Sequence, residues 1–457
     1  MKKLLLTFAM MLLLVTVVLL VSCGETASTS ETTPAETTPE APAVTTEELT
    51  ANGIPVDKLS DRVSALVGEK KFDEEALALM KLIIRDYYDK KGNRVLDANG
   101  NTITLWGVGA FLEAVAAVHK LYPEDEEILS VYEGLLDRGL KSYKVRYSPK
   151  KVNGVIPYYY NASAGNSGDY YYDDDEWIAI QYLEAYKALG KESYLQYAQE
   201  ILEFIWQGWG LQSNDTLENG GIPWHCNGQG PTTCSNAPAA YAFMQFSRLT
   251  DDGTLSNEYI ERAKTVYDWT RKHLSNGSTY IDSHNAVTNE RNNWSASYNN
   301  GVMLANSSLL YAITGEKTYL THAKNTARGA FSVNTKIEDG RPEFENDIEN
   351  PWMNGWLVRG WIEYYKVDKT NSVGYLNRCA EIMAFAIDNK LAEGRWAGYL
   401  RVQLDELPTK TWQEGSGADR VTVKNDHPSN DTVNLGGGVT MIAILADWAA
   451  LYGGKYQ

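Results

Sequence analysis

The sequence predicts an all-α protein, an (α/α)6 barrel of about twelve helices with its cleft at the N-termini of the inner helices. Three observations predict it. Apolar residues recur at helical spacing near 73–89, 104–121, 125–143, 174–189, 191–206, 236–250, 255–274, 298–314, 316–333, 350–367, 371–391 and 438–453. A Tyr-apolar-x-x-small motif opens at Tyr194, Tyr259, Tyr319 and Tyr375, at intervals of 56 to 65 residues, the length of a helix pair with one long loop. The connections also alternate. The loop after each second helix is a few residues long, and the loop before it runs from roughly 15 to 45 residues. Antiparallel helices joined in this way place every long loop at one end. An open α-solenoid offers no reason for one end to carry them all.

Taken in chain order, residues 1–22 read as a signal peptide. Lys2 and Lys3 precede an apolar run from Leu4 to Leu20, and the chain turns polar directly afterwards. Leu20-Val21-Ser22-Cys23 resembles the bacterial lipobox, which makes Cys23 the expected acylated N-terminus and places the protein in the bacterial cell envelope, at the outer membrane or cell surface. Residues 23–48, dominated by Thr, Pro, Glu, Ala and Ser, cannot bury a core and read as a tether. Residues 49–457 form the barrel domain. The net charge of −17 argues against nucleic acid or anionic lipid as a partner and suits a neutral polymer such as a glycan.

The second helix of each pair begins at the long-loop end. Those starts read Trp106-Gly107, Asp173-Asp174, Ser235-Asn236-Ala237-Pro238, Tyr298-Asn299-Asn300-Gly301, Trp352-Met353-Asn354-Gly355 and Gly436-Gly437-Gly438. Aromatic faces suit the C–H side of a sugar ring, and Asn or Asp suits its hydroxyls. Taken singly, Asn and Ser at a helix start are more often caps.

The acids Asp173-Asp174-Asp175-Glu176, entered through Tyr170-Tyr171-Tyr172 and followed by Trp177, stand at one of these starts. A lone Asp there would be read as an N-cap. Neighbouring carboxylates in one cleft instead split their pKa values, leaving one protonated and one ionised, which is what glycoside hydrolysis needs.

Tyr171-Tyr172-Asp173-Asp174-Asp175-Glu176-Trp177 resembles the Tyr-Tyr-Asp-Asp-Asn-x-Trp signature of glycoside hydrolase family 76, the α-1,6-mannanases and their fungal cell-wall relatives. Leu105-Trp106-Gly107 through Glu113, Gly220-Gly221-Ile222-Pro223-Trp224, Ser235-Asn236 and Tyr298-Asn299-Asn300-Gly301, with Asp282 shortly before, are similar to further family segments. The resemblance implies the same barrel and endo-cleavage of α-1,6-linked mannose with retention, without a cofactor. It makes Asp173 the nucleophile and Asp174 the general acid/base. Tyr172, Trp106, Trp224, Asn236, Asp282, Tyr298, Asn299 and Trp352 are the expected substrate-binding residues. Asp175 stands for the family's Asn, adding a charge expected to raise the acid's pKa or to face solvent. Asn300 stands for Gln and is expected to alter sugar contacts.

Cys226 and Cys234 lie in one loop, and a disulfide and two free thiols are equally compatible with the sequence. No metal is expected, because His225 is the single histidine near those cysteines in sequence. A non-catalytic glycan-binding lipoprotein on the same barrel would not need two adjacent carboxylates. A uronate lyase or hydrolase would call for Lys, Arg or His where the acids stand.

Overall fold

The computed structural model describes residues 61–97, 100–165, 168–211, 220–227, 230–285, 288, 290–338, 341–345, 351–388, 410–414, 421–425 and 439–448. The signal peptide, Cys23 and the tether lie outside them. The described helices are α1 (Asp61–Gly68), α2 (Lys71–Tyr87), α3 (Leu105–Leu121), α4 (Glu126–Asp137), α5 (Tyr172–Leu189), α6 (Glu192–Gln207), α7 (Ala237–Ser247), α8 (Gly253–Leu274), α9 (Ser297–Thr314), α10 (Lys317–Asn334), α11 (Pro351–Val367), α12 (Lys369–Asp388) and α13 (439–448). Twelve of them follow the apolar pattern. The helix expected over 125–143 ends at Asp137 and gives way to a 3-10 turn at Gly139–Ser142, and α1 is additional. Among the described residues no helix is long and apolar enough to cross a membrane.

Two kinds of helix alternate. Helices α3, α5, α7, α9, α11 and α13 are buried around most of their circumference; every residue of α9 from Ser297 to Leu310 is buried. Helices such as α6 and α8 bury one face and expose the other. The buried set packs in chain order, α3 on α5, α5 on α7, α7 on α9 and α9 on α11. Gly355 of α11 faces Thr440 and Met441 of α13, and Asp447 of α13 pairs with Lys120 of α3, so the ring returns to its start. The closest approach is between α9 and α11. A Cβ on Gly301 would lie 2.3 Å from the Trp356 carbonyl oxygen, and one on Gly360 the same distance from that of Gly301.

The repeated tyrosines explain themselves in the outer layer. Tyr194 of α6 donates to Asp137 at the end of α4 (3.0 Å), and Tyr259 of α8 donates to Glu203 of α6 (2.8 Å), so each ties its helix to the outer helix before it. The tight turns after α5 and α9 rest on Gly190 and Gly315 at φ of 66° and 73°, where the left-handed backbone closes the helix and favours glycine.

The long loops carry structure that the helical pattern does not reveal. Among the described residues, each of five holds a two-stranded antiparallel hairpin: β1 (Tyr88–Asp89) with β2 (Arg94–Val95), β3 (Lys144–Arg146) with β4 (Tyr158–Tyr160), β5 (Ser283–Asn285) with β6 (Glu290–Asn292), β7 (Thr335–Glu338) with β8 (Arg341–Phe344), and β9 (Lys410–Glu414) with β10 (Val421–Asn425). Every hairpin precedes a buried helix, so the hairpins gather at the end where those helices begin.

Candidate active site

The cleft at that end encloses about 960 Å³, and Asp173 and Asp174 lie in its wall with Trp106, Trp224, Tyr298 and Trp352. Helix α5 brings the acids there. Its N-cap is Tyr171, whose side chain makes no capping bond, so the three aspartates sit inside the first turn rather than ahead of it. The capping role open to a lone Asp is therefore not theirs. At about 100° per residue, successive carboxylates of this turn point in different directions. Asp173 and Asp174 face the cleft. Asp175, fully buried, turns to the β3–β4 hairpin and accepts the Tyr160 amide at 2.7 Å. It neither lines the cleft nor meets solvent, so of the two expectations for the residue standing in place of Asn the solvent-facing one fails.

The two cleft carboxylates have unequal surroundings. Asp173 accepts from the Trp224 indole Nε1 at 3.2 Å. Burial pushes its pKa up to about 6, against the opposing pull of the Trp224 and Cys234 donors. Among the described residues Asp174 has no such donors. Burial, then the charge of Asp173 beside it, then that of Asp169, drive its pKa well above the usual carboxylate range. Asp174 is thus the group that keeps its proton, and Asp173 the one that ionises first.

The loop before α7 holds Trp224 in place. Asn236 accepts from the Ile222 amide (2.8 Å) and donates to the carbonyls of Ile222 (3.0 Å) and Thr232 (2.7 Å), clamping both ends of that loop. The Tyr172 amide donates to the Trp224 carbonyl at 3.0 Å, fastening the loop to the start of α5. Below the cleft, Glu113 of α3 accepts from the indoles of Trp352 and Trp356 of α11, both at 2.9 Å, and lies 3.4 Å from Arg359. Trp352 in turn meets Trp106 and Trp177 edge-on, with ring centroids 5.6 and 4.8 Å apart. Asp282, also in the lining of the cleft, accepts from Asn292 (3.0 Å).

Of the residues singled out in the sequence, Asp173, Asp174, Trp106, Trp224, Asp282, Tyr298 and Trp352 line the cleft. Three do not. Tyr172 is buried, stacked on Phe204 with centroids 5.0 Å apart, because it opens the helix and turns back under α6. Asn236 is buried in the loop clamp, and Asn299 is buried within α9. Asn300 is buried as well, accepting from the Tyr280 amide (2.9 Å) and donating to Ser295 and Asn334 (both 3.0 Å), so it does not reach a cleft ligand. The cleft also holds Tyr171, Cys234, Asn292 and Trp294, none of them among the expected substrate-binding residues. For Trp294 a signal existed, a tryptophan in the long loop before Tyr298. Cys226 and Cys234 are free thiols, the first exposed and the second buried.

No curated protein sequence matches the chain. Solved structures do. A family 76 glycoside hydrolase from a bovine Bacteroides thetaiotaomicron strain is 22% identical over 82% of this chain and 78% of its own, with a TM-score of 0.64. The family 76 mannosidase of Bacteroides thetaiotaomicron VPI-5482 is 20% identical over 83% and 98%, with a TM-score of 0.63. An inactive variant of the α-1,6-mannanase of Salegentibacter sp. HEL1_6, with two adjacent aspartates replaced by asparagine and α-1,6-mannotriose bound, is 19% identical over 82% and 99%, with a TM-score of 0.60. These likenesses show the barrel fold. The model of glycosyl hydrolase family 76 matches residues 72–388. With Asp173 and Asp174 at the head of α5 and a family match over most of the barrel, this chain belongs to glycosyl hydrolase family 76.

Proposed function

We propose that the protein is an endo-acting, retaining glycoside hydrolase of α-1,6-linked mannose chains, with Asp173 as nucleophile and Asp174 as general acid/base. The observation that carries this reading is the unequal pair: adjacent carboxylates in one cleft, of which one accepts a hydrogen bond from Trp224 and the other is held protonated by burial and its neighbour's charge. Asp174 gives its proton to the leaving glycosidic oxygen while ionised Asp173 attacks the anomeric carbon and forms a covalent glycosyl-enzyme. Asp174, now a carboxylate, takes a proton from water, which displaces Asp173 and restores the starting state. Retention fits carboxyl groups about 5–5.5 Å apart, a spacing that consecutive residues reach more readily than the wider one of inverting enzymes.

The substrate class is supported by the wall of the cleft and by the relatives. Trp106, Trp224, Tyr298 and Trp352 offer aromatic faces, and Asp282 and Asn292 offer hydroxyl partners. No Lys or Arg is found among the described residues that line the cleft, where His284 is the one histidine, and this favours a neutral glycan over a uronate polymer. The α-1,6-mannotriose complex of the Salegentibacter enzyme gives the linkage its support. The test is time-resolved NMR of α-1,6-mannan digestion. The α-anomer should form first, in oligosaccharides rather than mannose alone. A β-anomer formed first overturns retention, and an undigested polymer leaves only glycan binding.

We also propose that acylated Cys23 anchors the chain to the cell envelope and that residues 23–48 tether the barrel there. The sequence of residues 1–48 supports this.

A further inference from the structure

We propose that Asp169, His225 and Cys226 form a binding site for a divalent ion of the zinc class on the outer side of the cleft wall. A carboxylate oxygen, an imidazole nitrogen and a thiol sulfur there lie within 4.8 Å of one another. His225 Nε2 is 2.6 Å from Asp169 Oδ1 and 3.5 Å from Cys226 Sγ. Zinc bonds of about 2.0–2.3 Å in a tetrahedron set its ligands roughly 3.3–3.7 Å apart. The oxygen and nitrogen need to part by about 1 Å, within the reach of two side-chain torsions.

The backbone that carries these donors is already fixed. Tyr171 and His225 form an antiparallel bridge, flanked by hydrogen bonds from the Cys226 amide to the Tyr170 carbonyl (3.1 Å) and from the Tyr172 amide to the Trp224 carbonyl (3.0 Å). Two loops 56 residues apart in sequence thus present their ligands from one paired segment. Asp169 and Cys226 are exposed and His225 is partly buried, so an ion has a way in and water can complete the tetrahedron. A thiolate with an imidazole and one carboxylate suits zinc and its borderline neighbours, and fits poorly with magnesium or calcium, which take oxygen donors.

The protons balance. In the protein without metal, the Asn227 amide points at His225 Nδ1 (3.4 Å), so Nε2 carries the ring proton toward Asp169. The ion replaces that proton at Nε2, the ring becomes the Nδ1–H tautomer, and the Cys226 thiol releases its proton to solvent. The His225–Asp169 hydrogen bond, the long contact from Asn227 and the Cys226 thiol's contact to the Gly168 carbonyl (3.7 Å) are given up, and three bonds to the ion replace them. The ion would tie the loop of Trp224, whose indole holds Asp173, to the segment entering α5. The site itself does not depend on which glycan is cleaved.

The test is titration of the full chain with Co²⁺, followed by thiolate-to-cobalt charge-transfer absorption, and with Zn²⁺, followed by thermal unfolding. One equivalent should produce the absorption band, and Zn²⁺ should raise the unfolding temperature. Cys226→Ser should lose the band, and both Cys226→Ser and His225→Asn should weaken binding at least tenfold. Cys23 is present in every variant, so it cannot account for the difference. A wild-type chain without the band, or a Cys226→Ser chain that binds equally well, overturns the proposal.

Discussion

The indole nitrogen of Trp224 donates to Oδ2 of Asp173 at 3.2 Å, so the loop before α7 stabilises the ionised form of a carboxylate on α5. A hydrogen bond to a charged group is worth about 1.5–3 kcal/mol. Trp224→Phe keeps an aromatic face and removes the donor. It should lower kcat/KM by roughly 10- to 100-fold, following from that energy. The wild-type pH profile of kcat/KM should be bell-shaped, rising near pH 6 as Asp173 loses its proton and falling as Asp174 loses its own. Trp224→Phe should move the rising limb to higher pH. A profile with unchanged limbs would separate Trp224 from the acid it touches.

Asp175 gives a stability prediction of opposite character. Burial raises its pKa well above the usual range, so the folded protein prefers it protonated. That preference contributes stability below the ordinary carboxylate pKa and is lost as pH rises through the raised value. Asp175→Asn keeps an oxygen for the Tyr160 amide and carries no charge at any pH. Its unfolding temperature should exceed that of wild type near pH 8 by a few degrees, for about 1–3 kcal/mol, and the gap should close toward pH 4. Activity should hold within about twofold, since the residue touches no cleft ligand. A gap that widens in acid would refute the sign.

Glu113 supports the floor of the cleft through two indoles and Arg359. Glu113→Ala leaves buried donors and a half-buried cation without this acceptor, at a cost of about 3–5 kcal/mol. Glu113→Gln retains one acceptor oxygen and should lose less. Denaturant unfolding of the two variants should rank them in that order, and equal stability with wild type would show that Trp352 is held by packing alone.

The anchor is tested separately. Cys23→Ser should release the protein from the membrane fraction or stall its processing. Unchanged partitioning would mean that another feature holds it there.

Much of this architecture was legible in the sequence because helices advertise themselves over many residues. The apolar stripes of α5, α9 and α11, and glycines such as Gly190 and Gly315, located those helices closely. The hairpins were not legible: β5 and β6 are three residues each and polar, without the apolar alternation that announces a strand. Side-chain direction was the second limit. Among three consecutive tyrosines, the helix starts at Tyr172, which sends Tyr171 to the cleft and Tyr172 under α6, and a shift of one residue would reverse them. The same rotation separates Asp175 from its two neighbours. Long-range contact was the third, since Asp169 stands beside His225 only in the folded chain.

The most direct test of the central claim is the initial rate of α-1,6-mannan hydrolysis by Asp173→Asn and Asp174→Asn, measured with their unfolding temperatures. Each should lose at least about 10²- to 10⁴-fold in rate, with Asp173→Asn the deeper loss, while both unfold near or above the wild-type temperature. Ordinary turnover of mannan by Asp173→Asn would contradict the account.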